Sequence, residues 1–199
     1  MPGPGLSGMF FSRYGSGVVV GANDSDQPAR LRDHAVAYVY YFNAKGDPIE
    51  QRVDTTAIVQ AKPTPPIDFA APIRLEGFEL ANPQVKKGQP IILVLYWRAL
   101  KRIDKDYSVF VRLVDKSGNE IAGYEKYPRD GKSPTSRWVP GQRIVDAIVM
   151  SVPDRVPIGN YRLEVGLSDP STMLPVLILN AASHASRDRV SIEPLWSSE

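Results

Sequence analysis

Hydrophobic and polar residues alternate with a period of two along most of the chain, which predicts strands. The cleanest case is Tyr161, Leu163, Val165 and Leu167, which alternate with Arg162, Glu164, Gly166 and Ser168. That is the pattern of a strand buried on one face. Tyr107, Val109, Val111 and Leu113 alternate in the same way with Ser108, Phe110 and Arg112. Pro90 to Ala99 is almost continuously apolar, as expected of a central strand covered on both faces. In Ile73 to Leu80 the apolar phase shifts at Gly77, from Ile73/Leu75 to Phe78/Leu80, the mark of a β-bulge. Arg143 to Met150, Leu174 to Leu179 and Arg189 to Glu193 complete the set. Helical periodicity is absent from any window of useful length. About seven short strands over some 120 residues predict a two-sheet sandwich. The expected fold class is all-β, an immunoglobulin/fibronectin-III-like antiparallel β-sandwich over residues 73–195, with a closed barrel as the alternative.

Upstream, residues 17–22 read as a short strand. Ala35 to Phe42 reads as a stronger one, with Val36, Tyr38, Tyr40 and Phe42 on one face. A turn at Asn43 to Pro48 returns the chain as Ile49 to Val59, a hairpin. Pro63, Pro65, Pro66 and Pro72 predict a stiff linker over 61–72. Residues 1–16, rich in Gly, Pro and Ser, read as a disordered or cloning-derived tail. With an offset of 72, Val39, Gly46 and Ile49 echo Val111, Gly118 and Ile121. Segment 17–60 is therefore either a degenerate second sandwich or a source of additional N-terminal strands for the main one.

Composition adds little except in proline, 18 of 199 residues, about twice the usual ~5%. These prolines fall between apolar runs, where they end strands. The formal net charge is +2. Without a clustered basic face, that excess gives no reason to expect a nucleic-acid partner. The adjacent Lys86 and Lys87 read as a solvated turn. Absence of cysteine excludes disulfides and thiolate metal sites. No run approaches the ~18 apolar residues of a membrane span, and no signal peptide is visible at the N-terminus.

Few residues could carry chemistry. The two histidines, His34 and His184, lie in poor contexts for a general base or a metal site. Asp104 and Asp106 flank Lys105 in a turn, where Asp bonds to local backbone. Asp115 to Glu120 lacks the spacing of a calcium loop and reads as a hairpin turn with Gly118 at positive φ. The expectation is no enzyme, no cofactor and no metal. Tyr124, Tyr127, Arg129, Asp130, Arg137 and Trp138 fall in one 15-residue stretch that reads mostly as loop. Aromatic faces stack on sugars while Asp and Arg fix hydroxyls, so Tyr124, Tyr127, Asp130, Arg137 and Trp138 are the candidate ligand site. The competing reading makes Trp138 an end cap of the sandwich. Tyr38, Tyr40 and Phe42 are the candidate protein-partner surface, because their strand is apolar on both faces. Trp97 reads as core. Tyr161, following a Pro/Gly turn, has the context of a tyrosine corner.

LEGFEL (75–80), VLYWRAL (94–100), DYSVFVRLVDKSGNEIA (106–122), PTSRWVPGQ (134–142), VPDRVPIGNYRLEVGLSDPST (152–172) and DRVSIEP (188–194) follow in a familiar order. Together they resemble the soluble C-terminal β-sandwich domain of bacterial multi-spanning lipid-linked-sugar glycosyltransferases of the dolichyl-phosphate-mannosyltransferase-like type. Related envelope proteins carry the same module. The resemblance covers residues 72–195. It implies a non-catalytic, extracytoplasmic or membrane-associated accessory module that contacts glycan or lipid-linked sugar. The alternative is a structural subunit or protein-interaction domain of an envelope complex.

Overall fold

The computed structural model describes residues 36–42, 48–54, 59–61, 66–80, 84–85, 90–153, 155–180 and 187–197. For the first three of these ranges, and for residues 194, 196 and 197, the backbone alone is described. The strands are β1 (Val36–Phe42), β2 (Pro48–Asp54), β3 (Val59–Ala61), β4 (Ile67–Asp68), β5 (Ile73–Leu80) and β6 (Pro90–Ala99), then β7 (Ser108–Asp115), β8 (Glu120–Lys126), β9 (Arg143–Ser151), β10 (Gly159–Asp169), β11 (Leu174–Pro175) and β12 (Val190–Ser197). A single 3-10 turn, Thr135–Arg137, lies between β8 and β9. There is no α-helix among the described residues.

Two antiparallel sheets form the sandwich. One runs β3-β5-β6-β9 with β4 also on β5, and the other runs β11-β10-β7-β8 with β12 also on β10. β1 and β2 form a separate two-stranded sheet. The inward faces supply Leu75, Leu93, Leu95 and Trp97 from one side, and Val111, Leu113, Leu163 and Val165 from the other, all fully buried. Each such aliphatic side chain contributes about 1.5–3 kcal/mol by leaving water. Trp97 packs at 6.0 Å and a tilted 59° against Phe69, so its assignment to the core holds.

Local features follow the sequence. The β5–β6 register shifts between Leu75 and Gly77, where the apolar phase changes. β6 is buried on both faces, since the outward Ile92 and Val94 are buried as fully as the inward Leu93 and Leu95. The Tyr161 hydroxyl donates to the Pro157 carbonyl, which makes a tyrosine corner of the kind that ties strand to loop in immunoglobulin domains. At the β7–β8 turn Gly118 has φ 85°. There Asp115 accepts from the Ser117 and Asn119 amides at 2.8 and 2.9 Å and from Asn119 Nδ2 at 2.9 Å. These donors pull its pKa down, Asn119 first. The turn is closed by its own groups.

Some expectations need correction. Residues 66–72 do not behave as linker: Ile67, Phe69 and Ala71 are buried in the main core, and Phe69 bridges to Ile178. Among the prolines lies an apolar alternation, Ile67, Phe69 and Ala71, that the sandwich buries. The returning arm 49–59 is divided into β2 and β3, and β3 pairs with β5, so it adds a strand to the sandwich. The apolar run 174–179 pairs regularly only as β11. Residues 1–35, and with them the tail, the 17–22 run and His34, lie outside the described residues, as do Lys86, Lys87 and His184.

Candidate functional site

The chain between β8 and β9 is held from both ends of its backbone. Trp138 is only 4% exposed, and its indole N–H donates to the Ser133 carbonyl at 3.1 Å and to Ser133 Oγ at 2.9 Å. It is therefore the end cap, and the reading of Trp138 as an open stacking platform is corrected. A large ring in a loop beside a sandwich gains most by closing the end of the core. Beside it the fully buried Thr135 takes the Tyr107 N–H at 2.9 Å and donates to the Lys105 carbonyl at 2.9 Å. Asp106 caps the 3-10 turn by accepting from the Ser136 amide at 2.9 Å.

Arg129, Asp130 and Gly131 form a run of three left-handed residues, with φ of 57°, 54° and 86°. Two of them are not glycine, a costly conformation that persists only where the surroundings impose it. Asp146, fully buried on β9, accepts from the Arg129 amide at 2.7 Å. The Asp130 amide hydrogen-bonds to the Tyr124 phenol, and the Asp130 carboxylate pairs with Lys126. Gly131 donates to the Tyr127 carbonyl at 2.8 Å. Burial pushes the Asp146 carboxyl up to about 6, against the opposing pull of the Arg129 amide. Its Oδ2 and the Trp97 indole N–H both lack a hydrogen bond of normal geometry. Even so, the indole N–H lies near enough to lower that carboxyl somewhat.

Of the proposed ligand residues, Tyr124 and Asp130 meet each other and are engaged within the fold. Tyr124 lies on β8, not in the loop, and packs partly buried against the core with Lys126 Nζ 5.6 Å from its ring centre. Burial, then Asp146 and Asp130, raise its phenol pKa. Asp130 is occupied by Lys126. Tyr127, at 38% exposure, and Arg137 do reach solvent. Tyr38, Tyr40 and Phe42 lie on β1 opposite Arg52, Glu50 and Pro48, with their side chains outside the described part. Asp146 escaped the sequence reading, although the alternation Ile144, Asp146, Ile148 places it on the inward face. Asp104 pairs with the exposed Arg102. Among the described residues, no three His, Cys, Asp or Glu side chains are grouped as a metal site.

Lys105 ties this end of the molecule together. Its ammonium pairs with Asp169 at the end of β10 and stands 5.4 Å from the Tyr107 ring centre. Asp169 is drawn down to about 2, chiefly by Lys105 and then by the Ser171 hydroxyl. The loops after β6, β8 and β10 thus form one connected end of the sandwich.

No protein-family model matches the chain, and no curated protein does. Among solved structures, the chain is similar to the C-terminal domain of wzt, at 11% identity and a TM-score of 0.47, over 71% of this chain and 78% of that one. No helix among the described residues is long and apolar enough to cross a membrane.

Proposed function

We propose that the chain is a non-catalytic β-sandwich accessory module of the cell envelope, extracytoplasmic or membrane-associated, that works by surface contact with glycan or a lipid-linked sugar. The observation that carries this reading is the use made of the polar groups at the loop end. Asp106, Asp130, Asp146 and Asp169 are each committed to capping, loop support or ion pairs. Of the candidate ligand residues there, Tyr127 and Arg137 reach solvent, and they suit contact better than acid–base chemistry. The sequence resemblance to the accessory domain of lipid-linked-sugar glycosyltransferases supports the same role. A structural or protein-interaction role is favoured by the apolar side chains exposed on the segment after β10, among them Leu177 and Leu179.

Trp138 is a poor test residue, because its loss would damage the fold. Tyr127→Ala and Arg137→Ala are the informative variants. Both should keep the wild-type melting temperature and weaken retention on immobilised bacterial envelope glycans. Wild-type protein that is not retained by any glycan would end the glycan reading and leave the interaction module.

A further inference from the structure

The end that Lys105 ties together has a second character: exposed apolar tips among basic side chains. Met173, in the turn after β10, is 78% exposed, and Leu174, the first residue of β11, is 63% exposed. Met173 also sits at φ 59°, a left-handed conformation that a residue of its kind seldom adopts. The Asp169 carbonyl holds it there by accepting from the Met173 amide at 2.8 Å. Val139, in the β8–β9 loop, is 61% exposed. The loops after β6 and β8 add Lys101, Arg102, Lys105, Arg129, Lys132 and Arg137. The acids at this end are Asp104, Asp106, Asp130 and Asp169; Asp104 pairs with Arg102, Asp130 with Lys126 and Asp169 with Lys105, so with Lys126 included seven cations stand against four acids and the end keeps a net positive charge.

We propose that this end of the sandwich docks on an anionic lipid surface, with Met173, Leu174 and Val139 entering the interfacial layer and the surrounding lysines and arginines facing lipid phosphates. Exposed apolar side chains within a basic rim are the combination that interfacial binding requires, since burial of the tips and attraction to anionic headgroups add. An acidic polysaccharide would satisfy the cations and leave the tips in water. A purely apolar protein partner would leave the excess positive charge unmatched. The site rests on the membrane-associated placement proposed above, but not on glycan binding.

The test is co-sedimentation with vesicles of phosphatidylcholine alone and of phosphatidylcholine with phosphatidylglycerol, at low and high salt, with glycan retention measured on the same samples. Wild type should pellet with the anionic vesicles only, and less so at high salt, because exposed charges are screened. Met173→Asn with Leu174→Ser should lower the partition coefficient by about tenfold or more. Asn tolerates the left-handed backbone, so the melting temperature should hold. Lys101→Glu with Lys132→Glu should weaken binding further. Equal binding to uncharged vesicles, no response to the apolar pair, or release by a soluble acidic polysaccharide with no vesicle binding would overturn the docking surface. If glycan retention persists in any of those outcomes, the module reading stands without it.

Discussion

Trp97 and Trp138 are both buried, yet in the sequence only the first is assigned to the core by its alternation, while for Trp138 the end-cap and ligand readings stand side by side. Trp97 lies in a strand whose neighbours are apolar, so alternation assigns it. Trp138 lies in a loop, where no period says which way a side chain turns. Both should behave as core in mutagenesis. Trp97→Ala should cost roughly 3–5 kcal/mol, and Trp138→Ala several kcal/mol as well. Urea titration of the two variants checks this, and a Trp138→Ala protein as stable as wild type would restore the open platform. Asp146 makes the opposite prediction, one of pH. Its carboxyl holds a proton more tightly in the folded chain, at about 6, than its ordinary value of 3.8. Stability should therefore fall as pH rises from about 4 to about 6, by roughly 3 kcal/mol at most, and be flat for this group on either side. Asp146→Asn keeps an oxygen for the Arg129 amide but removes the titration. The difference in unfolding free energy between wild type and variant should be smallest below about pH 4, grow in the variant's favour between about pH 4 and 6, and stay constant above.

At the scale of elements, β5, β6, β9 and β10 were legible almost to the residue, because period and length agree along them. The Gly77 bulge was legible too, since a phase shift at a glycine has few other causes. β4 was not, as four prolines in 63–72 outweighed the apolar Ile67, Phe69 and Ala71. The left-handed run at Arg129 and Asp130 was also hidden, because two of its three residues carry no glycine signal and one of its supports, Asp146, is distant in sequence. The outward face of β10 adds a constraint that period alone does not convey. A Cβ at Gly166 would stand 2.7 Å from the Asp188 carbonyl oxygen and 2.7 Å from Phe110 Cε1. Phe110 lies over this glycine with the Arg112 and Arg189 guanidinium groups 5.1 and 6.0 Å from its ring centre. Gly166→Ala must move backbone as well as a ring, and should cost about 1–3 kcal/mol, readable as a drop in the urea midpoint with an unchanged slope. Tyr161→Phe should cost about 1 kcal/mol, the loss of one hydrogen bond to the Pro157 carbonyl.

For the molecule as a whole, the sheet that carries β6 is the informative half, because its outward face is also dry. Ile92, Val94 and Val149 point away from the main core, yet Val94 has no exposure and Ile92 only 3%. A sheet face open to water does not bury its central residues so completely. The β1–β2 hairpin is the candidate cover that chain connectivity suggests. It ends at Asp54, five residues before β3 begins at Val59, and β3 is hydrogen-bonded to β5 at the edge of that sheet. Its first strand brings Tyr38, Tyr40 and Phe42, the residues singled out from sequence as a surface in need of a partner. A pair of truncations separates an internal cover from an external partner. Removing residues 1–16 should leave the melting temperature unchanged, since Gly/Pro/Ser-rich ends seldom pack. Removing residues 1–58, which keeps β3, should lower it by several degrees and bring out binding of a hydrophobic dye, as Val94 and Ile92 meet water. If the longer truncation melts like the full chain and binds no dye, the hairpin is not the cover. Tyr38, Tyr40 and Phe42 would then be left for another protein, and the interaction-module reading would gain what the internal packing lost.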